Sequence, residues 1–292
     1  MEASLALNIG LPVALCIIML GLGLSLRIED FIRVIARPWP IFVGLICQLI
    51  ILPGVCFILI IVSNLPPAIS VGMLLLAASP GGPSAALYTH LARGDVALNI
   101  AFTAITSVVA LISIPVVASI ALMVFYGDGG GAHIQFQQIL QIFAIAVVPA
   151  LIGAFIHHRY PSIARGLDRP VRIVATVFLA VLVLFALLGQ WQLLLIWGPT
   201  LGVFVLTFNV LSVAVAYFVP RILKIESPQA VAIAMSIGIR NAALVIALAM
   251  SEYMLGNPEM AIPPAAYGLF SYVVCGAFVW ILSRRTNARA AT

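Results

Sequence analysis

Nine apolar segments, separated by short polar connections, run along the chain at roughly 5–26, 38–62, 66–92, 95–125, 134–157, 170–189, 194–220, 227–251 and 261–283. About 20 apolar residues, each rising about 1.5 Å, cross a hydrocarbon core of about 30 Å. Each segment therefore predicts a membrane span. Two spans are interrupted. In the third, Ser79-Pro80-Gly81-Gly82-Pro83-Ser84 breaks an apolar run. Its prolines remove two backbone donors and its glycines permit positive φ, so a regular helix should stop there. In the eighth, Ser236-Ile237-Gly238-Ile239-Arg240-Asn241 breaks the pattern at similar depth. Irregular backbone at membrane depth survives only where protein or a water-filled cavity surrounds it.

The two interruptions correspond. One lies in the third span counted from the first, the other in the third counted from the sixth. Spans one to four would match spans six to nine, with opposite orientation and the fifth left over. Inverted repeats with paired broken helices predict a secondary transporter whose site lies where the breaks meet. The expected fold class is an all-α polytopic membrane protein.

Composition agrees. Of 292 residues 64% are hydrophobic and 8% charged, and mean hydropathy is +1.22. Soluble domains carry about 25% charged residues. The basic residues cluster in alternate connections: Arg27, Arg33 and Arg37; Arg93; Arg159, Arg165, Arg169 and Arg172; Arg221 and Lys224; then Arg284, Arg285 and Arg289. Asp128, Glu252 and Glu259 occupy the others, with Glu2 at the start. The positive-inside rule makes the basic side cytoplasmic, with the N-terminus outside and the C-terminus inside. This arrangement explains the net charge of +5 without a nucleic-acid partner. Glu2 and the lack of a basic leader predict that the first run is a retained span. Cys16, Cys47, Cys56 and Cys275 stand singly in apolar runs and are expected to be inert buried thiols.

Arg240 is the exception to the charge pattern. It is the only charged residue between Glu226 and Glu252, near mid-span. A guanidinium at that depth costs roughly 2.5–3.5 kcal/mol on insertion scales. It cannot shed its proton. Backbone carbonyls, an anion or a water-filled cavity must compensate it. The spans carry no Asp or Glu, which makes proton coupling a poor expectation. Asp95 stands at a helix start and should cap it. No intramembrane Asp-Asp, Ser-His or metal cluster is visible, so an enzyme is not expected.

The motif Ala78-Ser79-Pro80-Gly81-Gly82-Pro83-Ser84, followed by Tyr88-Thr89-His90-Leu91-Ala92-Arg93-Gly94-Asp95-Val96-Ala97-Leu98, closely resembles the bile acid:sodium symporter family. Ile237-Gly238-Ile239-Arg240-Asn241 resembles that family's second broken helix, and Gln48 and Pro53 fit its pattern too. The resemblance covers nearly the whole chain. It implies a single transporter domain over 1–292, with panel helices at about 5–26, 134–157 and 170–189 and core helices at about 38–125 and 194–283. It implies a multi-pass protein of a bacterial-type inner or plasma membrane, in contact with lipid. It further implies an organic-anion substrate in the cleft between panel and core, moved by alternating access. Nothing in the sequence sets the oligomeric state.

The family also implies two sodium sites at the crossing, and here the chain departs from it. At the first, the family's Ser-Asn pair falls on Ala85 and Ala86, its Ser on Asn99 and its glutamate on Ser236, while Thr103 is kept. At the second, Gln48 and Asn241 are kept, but a glutamine falls on Arg240. A polar His-Asn pair of the last helix is replaced around Val274 and Cys275. Sodium needs several hard oxygens, usually with a carboxylate. The expectation is that the Arg240 guanidinium occupies the second site, its five donors satisfying the carbonyls freed by the breaks. The first site would be empty or hold a weak ion. No cofactor is expected. The alternative is a sodium-coupled symporter whose ion is held by Asn99, Thr103, Ser236 and backbone carbonyls. The crossover residues Ser79, Gly81, Gly82, Ser84, Arg240, Asn241 and Tyr272 are expected to meet the substrate. Tyr267 and Ser271 are also candidates to face the cleft, and Thr207 and Asn209 to line the core.

Overall fold

The computed structural model describes residues 38–127, 191–251 and 254–290, with parts of 16–24 and 148–181. The described elements are helices. Helix α1 (Pro38–Ile46) passes through a π-helical turn, Cys47–Ile51, into α2 (Leu52–Ser63). The short α3 (Pro67–Ala78) and α4 (Ala85–Leu91) flank the first break. Helix α5 (Val96–Tyr126) follows, and later α6 (Trp191–Ile222). Helices α7 (Ser227–Gly238) and α8 (Ala242–Met250) flank the second break. A 3₁₀ turn, Pro258–Ala261, leads into α9 (Ile262–Ala290).

Among the described residues four stretches are long and apolar enough to cross a membrane: Pro38–Ser63, Val96–Tyr126, Leu195–Ile222 and Pro258–Arg284. Each shows large apolar side chains on its outer face, such as Ile58, Ile112, Val203 and Leu269. Water would not tolerate such a surface, whereas lipid does. The broken pair lies inside this ring. Every residue from Ala68 to Ala78 in α3 and from Gln229 to Gly238 in α7 is buried. A helix apolar all round belongs in an interior.

Two apolar clusters fill the interior. One joins α3 and α8 with the later half of α5 and the start of α9. The other joins α7 and Ala85 of α4 with the earlier half of α5 and the end of α6. Each broken span thus gives its halves to opposite clusters, which leaves the two breaks between them.

Local chemistry sets the ends. Asp95 accepts from the Leu98 amide at 3.0 Å and caps α5. The Asn241 side chain does the same for Leu244 at 3.2 Å and starts α8. Serine 79 closes α3 by donating to the Leu76 carbonyl at 2.8 Å. In the π turn, the Leu52 amide reaches back to Cys47, five residues away. Pro53 follows with no amide of its own, which removes one α-helical bond and favours the wider turn. The boundaries of the expected spans within 38–127 and 191–290 agree with these helices. The expected spans 5–26, 134–157 and 170–189 fall largely outside the described residues.

Candidate functional site

The two breaks pair with each other as a short antiparallel bridge between Gly81 and Arg240. The Gly82 amide donates to the Ile239 carbonyl at 2.6 Å, and the Asn241 amide to the Pro80 carbonyl at 2.9 Å. This joins the interrupted spans through backbone groups that the breaks had freed. The glycines serve this approach. A Cβ on Gly81 would strike the Ser236 hydroxyl, and one on Gly82 would lie 3.0 Å from the Arg240 carbonyl oxygen. Neither glycine has positive φ, so the expected conformational reason for them is corrected to one of space.

Arg240 is 5% exposed. Its Nη1 donates to the carbonyls of Ala77 at 2.7 Å and of Leu76 and Ser79 at 3.3 Å each. These oxygens end α3, where helix geometry leaves carbonyls without partners and a partial negative charge accumulates. The guanidinium also lies over the Phe208 ring, 5.8 Å from its centre. The Tyr267 hydroxyl is beside it. Nε and Nη2 have no hydrogen-bond acceptor among the described residues. The expectation of five donors on the freed carbonyls is therefore corrected: one nitrogen does that work. Gln48, presented by the π turn, donates from Nε2 to the same Ser79 carbonyl at 3.2 Å.

The second break's carbonyl has other donors. Gly238 accepts from Asn209 Nδ2 at 2.9 Å and from the Tyr267 hydroxyl at 3.0 Å. Asn209 bonds between helices as expected. Tyr267 and Ser271 are buried, which corrects their placement on the cleft, and Thr207 is exposed on the outer face of α6. Phe208 escaped the sequence reading. One phenylalanine among many apolar residues carries no signal until the arginine beneath it is located.

The first-site positions separate. Thr103 and Ser236 share a hydrogen bond of 2.9 Å between their hydroxyls, both beside Gly81. Asn99 instead donates to the Ala232 carbonyl at 2.8 Å, tying α5 to α7. Ala85 is buried, Ala86 half-buried, and neither offers a side-chain oxygen. A second group reaches the surface. Ser84 is half-buried, and its hydroxyl lies 3.3 Å from that of Tyr272, which is 45% exposed. Tyr88 donates to the Tyr272 carbonyl at 3.4 Å, with ring centres 6.0 Å apart. The candidate site is thus a buried polar crossing with a half-exposed aromatic rim.

The sequence profile of the Sodium Bile acid symporter family matches residues 12–197. The chain belongs to that family. It is similar to the sodium-dependent transporter YocS of Bacillus subtilis, 29% identical over 264 residues, covering 89% of this chain and 78% of that one. It resembles the ileal sodium/bile acid cotransporter of Oryctolagus cuniculus, 25% identical over 284 residues, covering 95% and 80%. The probable chloroplastic sodium/metabolite cotransporter BASS1 of Arabidopsis thaliana is 28% identical over 254 residues; the match covers 87% of this chain and 61% of that protein. This symporter-family chain is a multi-pass membrane protein and a secondary transporter, not an enzyme.

The carbonyls of Leu76, Ala77 and Ser79 already accept from a permanent cation. On the Gly81 side the Ser236 and Thr103 hydroxyls and the Ser236 carbonyl lie closest to the glycine.

Proposed function

We propose that the protein carries organic anions by alternating access without sodium, and that Arg240 stands permanently in place of one sodium ion. The observation that carries this reading is the Nη1 contact with the carbonyl oxygens of Leu76, Ala77 and Ser79 at the end of α3. Those oxygens are the kind of ligand a hard cation would use, and a guanidinium beside them repels one. Two unit charges about 4 Å apart repel by about 4 kcal/mol at an effective dielectric near 20. That weakens binding nearly a thousandfold. A tethered cation keeps the crossing neutralised but cannot couple it to an ion gradient. The substrates are bile-acid-like or small carboxylates, received where Ser84, Tyr272 and the start of α8 meet the surface. Sodium is not required, and no cofactor is used. The protein sits in a bacterial-type inner membrane with the N-terminus outside and the C-terminus inside.

One observation favours a second reading. The Thr103 and Ser236 hydroxyls and the Ser236 carbonyl converge beside Gly81, and the relatives named above are called sodium-dependent or sodium cotransporters. A sodium-coupled symporter could use that corner, with Asn99 nearby. Uptake into proteoliposomes separates the readings. Saturable uptake that is equal in sodium and in choline buffers supports the sodium-free carrier. Accumulation above equilibrium, driven by a sodium gradient, would establish the symporter instead.

A further inference from the structure

We infer that the protein is chiefly a one-for-one exchanger of organic anions, and that the membrane potential acts on its unloaded form. This rests on the transport reading above and adds the mode of transport. Arg240 is held to α3 by its side chain and to Pro80, Gly81 and Gly82 by the paired backbones. It must travel with the crossing in every conformation. A diffusible ion can leave before an empty carrier returns; this one cannot.

The charge is only partly compensated. Three carbonyl dipoles, the Tyr267 hydroxyl and a ring face it, none of them a formal negative charge. Asp95, Glu226 and Glu259, the acidic residues among those described, stand at helix ends and not in mid-span. The unloaded crossing therefore carries one net positive charge, and a bound monoanion brings it to zero. Moving an uncompensated charge through a low-dielectric barrier is far slower than moving a neutral pair. The loaded form then shuttles readily, and the empty form returns slowly. One anion enters as one leaves, so each full exchange moves no net charge. Net uptake must include the charged return. A potential of 100 mV can bias that step by up to about 50-fold.

The test uses the wild-type chain in sodium-free proteoliposomes. Labelled taurocholate, pantoate and pyruvate serve as probes, with the same unlabelled anion inside or absent. Potassium and valinomycin set the potential to zero or about −100 mV. Exchange is expected to exceed net uptake at least about tenfold. The potential should alter net uptake and leave exchange unchanged. Arg240→Gln, which can still donate to a carbonyl, should bring the ratio of exchange to net uptake close to one. Arg240→Lys should keep the ratio high. Equal rates of exchange and net uptake in the wild type, or a high ratio kept in Arg240→Gln, would overturn the exchanger and leave the transport reading intact. A sodium requirement in both modes, or no flux of any probe, would overturn the transport reading itself.

Discussion

Arg240 concentrates the chemistry of this chain, and its substitutions should divide by what they leave on the three carbonyls. Arg240→Met takes the side-chain donor from the Ala77 carbonyl, while the Leu76 carbonyl keeps the Ser79 hydroxyl and the Ser79 carbonyl keeps Gln48. An unsatisfied buried carbonyl costs about 1–3 kcal/mol. The variant should melt well below the wild type in detergent and lose transport. Arg240→Gln should fold, yet transport should gain no sodium dependence, because Ser236 supplies a neutral hydroxyl and no carboxylate. A strong sodium-induced rise in its melting temperature would contradict that forecast. Tyr267→Phe leaves Gly238 with Asn209 as its side-chain donor and should cost about 0.5–1.5 kcal/mol in thermal unfolding. At this scale the sequence was half legible. The depth of Arg240 followed from the apolar residues around it. The partners did not, because carbonyls have no letter in a sequence, and because which face Tyr267 turns inward depends on where α9 packs.

The elements divide in the same way. Prolines and glycines announced the first break, and Gly238 with the polar Arg240 and Asn241 announced the second. Polar residues at Asp95 and Asn241 fixed the starts of α5 and α8 by capping. The π turn at Cys47–Ile51 was hidden, because a proline in an apolar span reads equally as a simple kink. It matters because it turns Gln48 toward the Ser79 carbonyl. Pro53→Ala restores the missing amide and permits a regular helix. Helix propensity alone would raise stability by up to about 3 kcal/mol. The expected result is a protein at least as heat-stable as the wild type whose transport falls severalfold, as Gln48 rotates away. Unchanged transport would show that the turn has no part in the site.

For the whole molecule, the design is a buried crossing between two apolar clusters, ringed by spans with lipid-facing surfaces. Hydropathy made this legible, because burial in lipid and burial in protein both select apolar residues over lengths of about 20. The alternation of basic connections adds an orientation, which a fluorescent-protein fusion checks: a C-terminal fusion should fluoresce from the cytoplasm, and an externally placed C-terminus would reverse the assignment. The most direct test of the tethered cation is equilibrium binding of radioactive sodium to the purified wild-type protein. The account predicts no saturable binding up to about 100 mM, since the guanidinium weakens the site nearly a thousandfold. Stoichiometric saturation at millimolar sodium would contradict it.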